Sequence, residues 1–471
     1  MNGDDILRMG YKPGRAVGMA LAAAKSAAKA GLLDEDIKTS LSAVLNDPTA
    51  YTDDPIYGQI AKELTPTIET PLIAYGLDKS APFQIWGEAD IDPEAKQQLR
   101  RAVQLPVSVK GALMPDAHVG YGLPIGGVLA TENSVIPYAV GVDIACRMRM
   151  TIFDASPIIL EQKRDKFRKA LEDNTIFGTG RSWDEPQQHT VLDDPAWREH
   201  PVVRQYRDVA WKQLGTSGSG NHFVEFGALT VEQAMDTQLG IVPAGKYLAL
   251  LSHSGSRRLG QEIANYYTEI AMQRRAALPK EYLKLAWLDL DEDSGAEYWE
   301  AMNLAGRYAS ANHAVIHERI AKAVRFDVLG GIENHHNFAW KEQVDGKEAI
   351  VHRKGATPAG TGVLGVIPGS MSAPGFVVRG RGNADSLNSA AHGAGRRMSR
   401  SEALKKFEWT VVNKHLKAHG VDLLSAGLDE VPGAYKDIRS VMAAQSDLVE
   451  IMAEFQPKLV KMDGSKSRPE D

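Results

Sequence analysis

The sequence predicts an α+β, mixed α/β fold: several β-sheets with helices inserted between their strands, preceded by a small helical region. Three observations predict it. From about residue 75, short apolar runs of β-forming residues alternate with glycine-rich corners. Segments of helical spacing interrupt these runs at irregular intervals. No regular βαβ period and no internal repeat organises them.

The N-terminal region comes first. Residues 16–30, "AVGMALAAAKSAAKA", are strong helix formers, and Gly31 can end the helix. Further helices are expected near 35–46 and 52–64. "KELTPTIETP", with Pro66 and Pro71, reads as the boundary of a helical N-terminal region at 1–70. Its basic residues, Arg8, Lys12, Arg15, Lys25 and Lys29, precede an acidic stretch. Either a helical cap on the core or a basic docking face for an anionic partner is compatible with that pattern.

The strand-like runs follow: "PVSVKGALMP", "PIGGVLAT", "SVIPYAVGVDI", "NHFVEFG", "KYLALLSHSG", "EAIVHRKGA" and "GFVVRG". Helices are expected near 159–173, 260–275, 294–324, 401–419 and 436–456. Together they make one catalytic domain at 75–464. The polar tail at 465–471 reads as disordered.

Composition narrows the function classes. Hydrophobic content of 43% and charged content of 24% are those of a globular protein. No apolar run reaches the roughly 18 residues of a membrane span, so no membrane association is expected. The start lacks the charged-then-apolar order of a secretion signal. A single cysteine excludes an internal disulfide and fits a reducing cytoplasm. The net charge of −6 argues against a general nucleic-acid coat but leaves room for a local basic groove.

Chemistry concentrates in histidines set in polar or glycine-rich turns. They are His118, His222, His253, His335, His336 and His392. Asp143 and Cys146 lie three residues apart in an apolar run that reads as a strand. On a regular strand, residues i and i+3 face opposite sides. For both to reach one ion the backbone must turn or bulge, which Ala145 and Gly141 permit. A core cysteine is the alternative, since cysteine is often buried. Thiolate, imidazole and carboxylate together suit a borderline transition metal, and ligand chemistry alone names zinc first. The small-residue loops "GTSGSGN", "HSGSRRLG", "VIPGSM" and "RGRGN" can surround phosphate oxygens with backbone N–H groups. Arg257, Arg258, Arg396, Arg397 and Arg400 can add charge-assisted contacts. Metal ligands interleaved with such loops suggest phosphoryl or nucleotidyl transfer.

The motifs "PDAHVG", "VGVDIACRM", "GSGNHF", "HSGSRRLG", "HHNF", "HRKGAT", "IPGSM" and "HGAGRRMSR" occur in the order found in the RtcB RNA ligases. The sequence resembles that family from about 110 to 400, and more weakly to 464. The resemblance implies a core of twisted sheets around a metal cleft. It also implies a GTP- and manganese-dependent ligase, active in RNA repair or tRNA splicing. Such an enzyme joins an RNA 3′-phosphate or 2′,3′-cyclic phosphate to a 5′-hydroxyl. Asp143, Cys146 and His222 would hold one Mn²⁺, and Cys146, His253 and His336 the other. Manganese thus replaces the zinc of the residue-based reading. His392 matches the nucleophile that takes up GMP. Asn221, His222, Phe223, Val224, Glu225, His336, Asn337, Pro368, Gly369, Ser370, Met371, Gly393, Ala394, Gly395 and Lys461 match nucleotide-binding positions. The implied cycle opens a cyclic phosphate by metal-activated water, transfers GMP from His392 to the 3′-phosphate, and seals by 5′-hydroxyl attack. The implied partners are RNA with broken ends and an activating protein. A 3′-phosphate guanylyl-capping enzyme, a metal phosphodiesterase and an RNA-binding relative are the alternatives.

The sequence departs from the family at three points. Ala145 and Arg147 replace two glycines around Cys146, Gly375 replaces a serine, and "LVKMDG" replaces the usual C-terminal "VVKG".

Overall fold

The computed structural model describes residues 1, 3–11, 15–64 and 75–465. The chain divides into two compact units, Met1–Thr70 and Pro71–Asp471.

In the first unit helices run over Gly3–Arg8, Arg15–Lys29, Asp34–Asn46 and Gly58–Leu64. Ala20, Ala23, Ala24 and Ala27 line one side of the second helix and share a core with Ile37, Leu41 and Ile60. Alanine loses no side-chain entropy on this burial and lets helices approach closely. The helix expected from residue 52 starts only at Gly58. Before it, the Asp54 carboxylate accepts the N–H groups of Ile56 and Tyr57 at 2.8 and 2.7 Å, which holds a turn instead. Arg8, Lys25 and Lys29 are exposed. Lys12 and the tail residues 466–471 lie outside the described residues.

In the second unit two large sheets carry the site. Their strands are β1 (Phe83–Ile85), β2 (Ser108–His118), β3 (Ile125–Thr131), β4 (Arg147–Phe153), β5 (Phe223–Val231), β6 (Gly245–Ser254) and β7 (Val328–His335). They continue with β8 (Asn337–Val344), β9 (Lys347–Lys354), β10 (Leu364–Ile367), β11 (Gly375–Gly380), β12 (Asp422–Ser425) and β13 (Val449–Met462). The smaller sheet has the order β1-β2-β3-β9-β8. The larger has the order β7-β4-β6-β5-β13-β11-β10, with β12 added in parallel to β13. The 32-residue helix Asp293–Val324 buries a long row of small and apolar residues, from Ala301 to Ile320, among the cores of this unit. No helix of the described residues is long and apolar enough to cross a membrane.

Three expected elements differ. Only Ser134–Val135 of "SVIPYAVGVDI" is a strand. Pro137, its fixed φ suited to a first helical position, opens a short helix over Pro137–Val140. The helix expected at 401–419 is two helices, Arg400–Lys406 and Trp409–Ala418. Phe407 between them is extended and packs against Gly433. The helix expected at 436–456 covers only Ile438–Ala443, and most of the remainder is β13. That strand pairs with β5 on one side and β11 on the other, and two ladders override the helix propensity of its Met, Ala and Glu residues.

Candidate active site

Strand order assembles the donors. β7, β4, β6 and β5 are successive antiparallel neighbours. The C-terminal ends of β7 and β6 therefore meet the N-terminal ends of β4 and β5 at one edge of the sheet. Arg147 pairs with His335, while His253 pairs with Met148 and Phe223. Four candidate ligands thus come level: His336 just after β7, Cys146 just before β4, His253 near the end of β6, and His222 just before β5.

Asp143 joins them through a turn. Residues 141–146 are not a strand, and Ala145 has φ +57°. The turn is tied down by backbone bonds: Cys146 N–H to Asp143 O at 3.1 Å, Ala145 N–H to Asn337 O at 2.6 Å, and His336 N–H to Cys146 O at 3.0 Å. Nearby Gly218 has φ +99°, and a Cβ there would lie 2.4 Å from His222 Nδ1 and closer still to Arg257. Only glycine fits that close approach.

The five side chains are buried and in contact. Cys146 Sγ lies 3.0 Å from His253 Nε2 and 3.5 Å from His222 Nε2. His222 Nε2 is 3.1 Å from Asp143 Oδ2, and His253 Nε2 is 3.2 Å from His336 Nε2. The Asp143 carboxyl is subject to burial, which raises its pKa. Its hydrogen bond and charge interaction with His222 outweigh that, and hold it at about 2. Burial, followed by the fields of neighbouring imidazoles, pushes His253 and His336 well below the usual histidine range. Neutral imidazoles at His253 and His336 and an ionised carboxylate at Asp143 are donor forms a metal requires, and a bound metal would take Cys146 as its thiolate. The donor set therefore fits transition-metal ions, with Cys146 central to it. Cys146, His222 and His253 offer ligand atoms all within 4.8 Å of one another.

His392 stands beside this cluster. Its ring centroid is 4.8 Å from that of His336. It follows the strand Ser389–Ala391, which pairs with Ala356–Pro358 beyond β9. Its Nδ1 donates to Asp116 Oδ2 at 2.7 Å. The same oxygen accepts the N–H of His392 at 3.1 Å and of Gly393 at 3.3 Å. Asp116 is fully buried near the end of β2. The sequence reading drew His118 from "PDAHVG" and passed over Asp116. The available signal was a carboxylate inside an otherwise apolar β run.

The cleft that holds these groups has a volume of about 1140 Å³. Asn221, Phe223, Glu225, Asn337, the loop Pro368–Met371 and the loop His392–Gly395 all line it. Burial pushes the Glu225 carboxyl well above the carboxylate range. Asn337 bridges two loops: Nδ2 donates to Asp143 O at 3.2 Å and Oδ1 accepts from Gly355 N–H at 2.8 Å. His118 lines the cleft, held at about 4 chiefly by burial. His335 instead lies against Trp340 with the rings tilted, centroids 4.9 Å apart.

Two expected nucleotide residues stand elsewhere. The Val224 side chain packs with Phe226, Leu248 and Leu250. The Lys461 ammonium donates to the carbonyls of Leu171, Glu172 and Thr175 at 3.3–3.4 Å, at the end of the helix Arg164–Asn174. The reason is register: Lys461 pairs with Val224, and neither side chain lines the cleft. Arg147, one of the departures, is buried, ion-paired to Glu333, and donates to the carbonyls of Ala145 and Gly306. Arg396 and Arg400 pair with Glu430, and Arg258 pairs with Glu262.

Comparison with known proteins decides the family. A family model described as "tRNA-splicing ligase RtcB" matches residues 98–463. The chain belongs to the RtcB family. The RNA-splicing ligase RtcB of Escherichia coli K12 is 34% identical over 411 residues, covering 79% of this chain and 95% of that protein. RNA-splicing ligase RtcB homolog 2 of Entamoeba dispar is 30% identical, covering 77% and 82%. The tRNA-splicing ligase RtcB of Nanoarchaeum equitans is 31% identical, covering 77% and 90%. The RtcB match includes every candidate ligand, Asp116 and His392.

Proposed function

We propose that this chain is an RNA ligase that joins a 3′-phosphate or 2′,3′-cyclic phosphate end to a 5′-hydroxyl end, using GTP through a His392–GMP adduct. Residues 75–464 form its catalytic domain. The observation that supports this reading most directly is the placement of His392. Its ring stands 4.8 Å from that of His336, at the border of the donor cluster, with Nδ1 engaged by a buried carboxylate.

That bond fixes the chemistry of the ring. With Nδ1–H donated to Asp116, the lone pair sits on Nε2. Nε2 attacks the α-phosphorus of GTP, and pyrophosphate leaves. An oxygen of the RNA 3′-phosphate then attacks the histidine-bound phosphorus, which releases the imidazole and forms an RNA-3′-pp-G end. The 5′-hydroxyl attacks the 3′-phosphorus of that end, GMP leaves, and a phosphodiester remains. A cyclic end is first hydrolysed to the 3′-phosphate. Asp143, Cys146 and His222 would hold one manganese ion and Cys146, His253 and His336 the other. Such ions, when bound, neutralise charge on the reacting phosphates. Asp116 stabilises the cationic ring of the adduct and returns it to the same tautomer after each cycle. The cleft loops 368–371 and 392–395 offer backbone N–H groups to the nucleotide phosphates.

The test is incubation with Mn²⁺, α-labelled GTP and a broken RNA stem-loop. The expected result is labelled protein in wild type, none in His392→Ala, and sealed RNA only with a 3′-phosphate or cyclic end. Labelled protein and capped but unsealed RNA would point to a capping enzyme. RNA cleavage without labelled protein would overturn the adduct.

A further inference from the structure

We propose that Tyr121 is a stacking platform for a base at one end of the RNA, set at the mouth of the active-site cleft. The inference rests on the ligase reading above and adds to it a site for single-stranded nucleotide recognition. Tyr121 lies in the Gly120–Gly122 turn between β2 and β3, five residues beyond Asp116. It is 64% exposed and lines the same cleft as His392.

A single exposed aromatic is unremarkable on a protein surface. This one differs because its turn is held rigidly at several points. The Gln98 amide clasps Gly120 from both sides, donating to its carbonyl at 2.6 Å and accepting its N–H at 3.0 Å. Gly122 has φ +72°, and a Cβ there would lie 2.7 Å from the Lys284 carbonyl, so the turn is pressed against that segment. Lys354 Nζ donates to the Tyr121 carbonyl at 2.5 Å. Lys284 Nζ sits 4.1 Å from the Tyr121 ring centroid and so covers one face. A pre-positioned ring costs little ordering entropy when something stacks on the face that remains.

The surroundings select an anionic partner. Lys284 and Lys354 both approach Tyr138 as well, at 5.6 and 5.7 Å from its ring centroid. Among the described residues neither lysine is within ion-pair distance of a carboxylate. Lys354 is only 5% exposed, and burial together with Lys284 lowers its pKa to about 7. Two lysines against two tyrosines, with no carboxylate among the described residues within ion-pair distance, match a nucleotide: its phosphate meets the exposed Lys284 ammonium and its base meets the Tyr121 ring. The platform belongs to the smaller sheet. The expected guanine-nucleotide contacts Asn221, Phe223 and Met371 stand with β5 and the β10–β11 loop of the larger one. Gly355, next to Lys354, reaches His392, since a Cβ there would lie 3.2 Å from its Cε1. An RNA end stacked on Tyr121 is thus directed toward the nucleophile.

The test compares wild type, Tyr121→Ala and Tyr121→Phe as full chains with Mn²⁺ and GTP. The RNA carries either a normal or an abasic nucleotide at each reacting end in turn. Base–aromatic stacking predicts that Tyr121→Ala raises the KM for normal RNA roughly 10- to 100-fold, and that phenylalanine restores it. An abasic nucleotide at the stacked end should weaken wild type by a similar factor and Tyr121→Ala hardly at all. Adduct formation from GTP alone should proceed at the wild-type rate, with equal melting temperatures. Unchanged KM in Tyr121→Ala overturns the platform, and so does slowed adduct formation without RNA, which would assign the ring to GTP. Failure of wild type to form adduct or seal RNA counts against the ligase reading instead. Direct binding of a fluorescent 3′-phosphate oligonucleotide then decides the platform separately, with equal binding by wild type and Tyr121→Ala overturning it.

Discussion

Ala145 holds φ +57°, where the Cβ of an L-residue crowds its own carbonyl at a cost of about 1–2 kcal/mol. The residue is nonetheless fixed by its N–H bond to Asn337 O. The strain therefore resides in the turn that presents Asp143 and Cys146 together. Ala145→Gly should relieve it, with part of the gain lost to the greater freedom of glycine in the unfolded chain. The expected outcome is stabilisation by about 0.5–1 kcal/mol, read as a higher urea midpoint for metal-free protein; a lower midpoint contradicts the argument. Asp116 acts at the same scale through another residue, since it touches His392 and not the candidate metal ligands. Asp116→Asn keeps the shape but removes the charge that favours the Nδ1–H form and, in the proposed cycle, the adduct cation. Adduct formation should slow by about 10²- to 10⁴-fold in single-turnover measurements, with folding intact. A rate within threefold of wild type would leave Asp116 a structural role only.

β13 is the element on which sequence and structure differ most. Its run "VEIMAEFQPKLVKM" is rich in helix formers, and the ladders from β5, β11 and β12 make it a strand. Pro457, which cannot donate to a ladder, sits where the register with β5 shifts. Lys461 on the same strand satisfies carbonyls at the end of the helix Arg164–Asn174, a favourable place for a cation. Lys461→Ala should cost about 1 kcal/mol, read as a lower melting temperature without nucleotide. No change would mean that water replaces the ammonium there. The donors were legible because Asp143, Cys146, His222, His253 and His336 each sit in a short motif whose chemistry survives without knowledge of the fold. The strands that bring them level were less so. "RMRMTIF" carries arginines inside a buried sheet, and "VLGGIENH" hides its strand behind a glycine pair. Asp116 was hidden because its partner lies 276 residues away. Register, which turns Lys461 from the cleft, is a property of pairs of strands and is written in no single segment.

Across the whole second unit, burial keeps several histidines neutral. Ser252, on the opposite face of β6 from His253, bonds to His313 Nδ1 and His317 Nε2, each at 2.8 Å, and His317 Nδ1 bonds to Thr151 at 2.7 Å. Burial lowers His313 to about 3, His352 to about 4 and His317 well below its usual range. For a base whose folded pKa is depressed, the unfolded chain binds protons first as pH falls. The stability these groups contribute is therefore complete above about pH 6.5 and is lost progressively as pH drops toward 3. Metal-free protein should melt at lower temperature at pH 5 than at pH 7, with uptake of about three protons on unfolding from these residues alone. A melting temperature that is flat or rises between pH 7 and pH 5 would show that the histidines are charged in the fold.

His336 is the single residue between β7 of the larger sheet and β8 of the smaller one. Its N–H is bonded to Cys146 O, and Ala145 N–H is bonded to Asn337 O, so the seam between the sheets is closed by the backbone of two donor residues and of their chain neighbours. The consequence concerns time. Deuterium can replace these two amide protons only when the sheets part, so both should exchange at the slow rate of the deepest strands, with or without metal. An ion reaching the cleft would then meet a site with the lifetime of the fold, already assembled before it arrives.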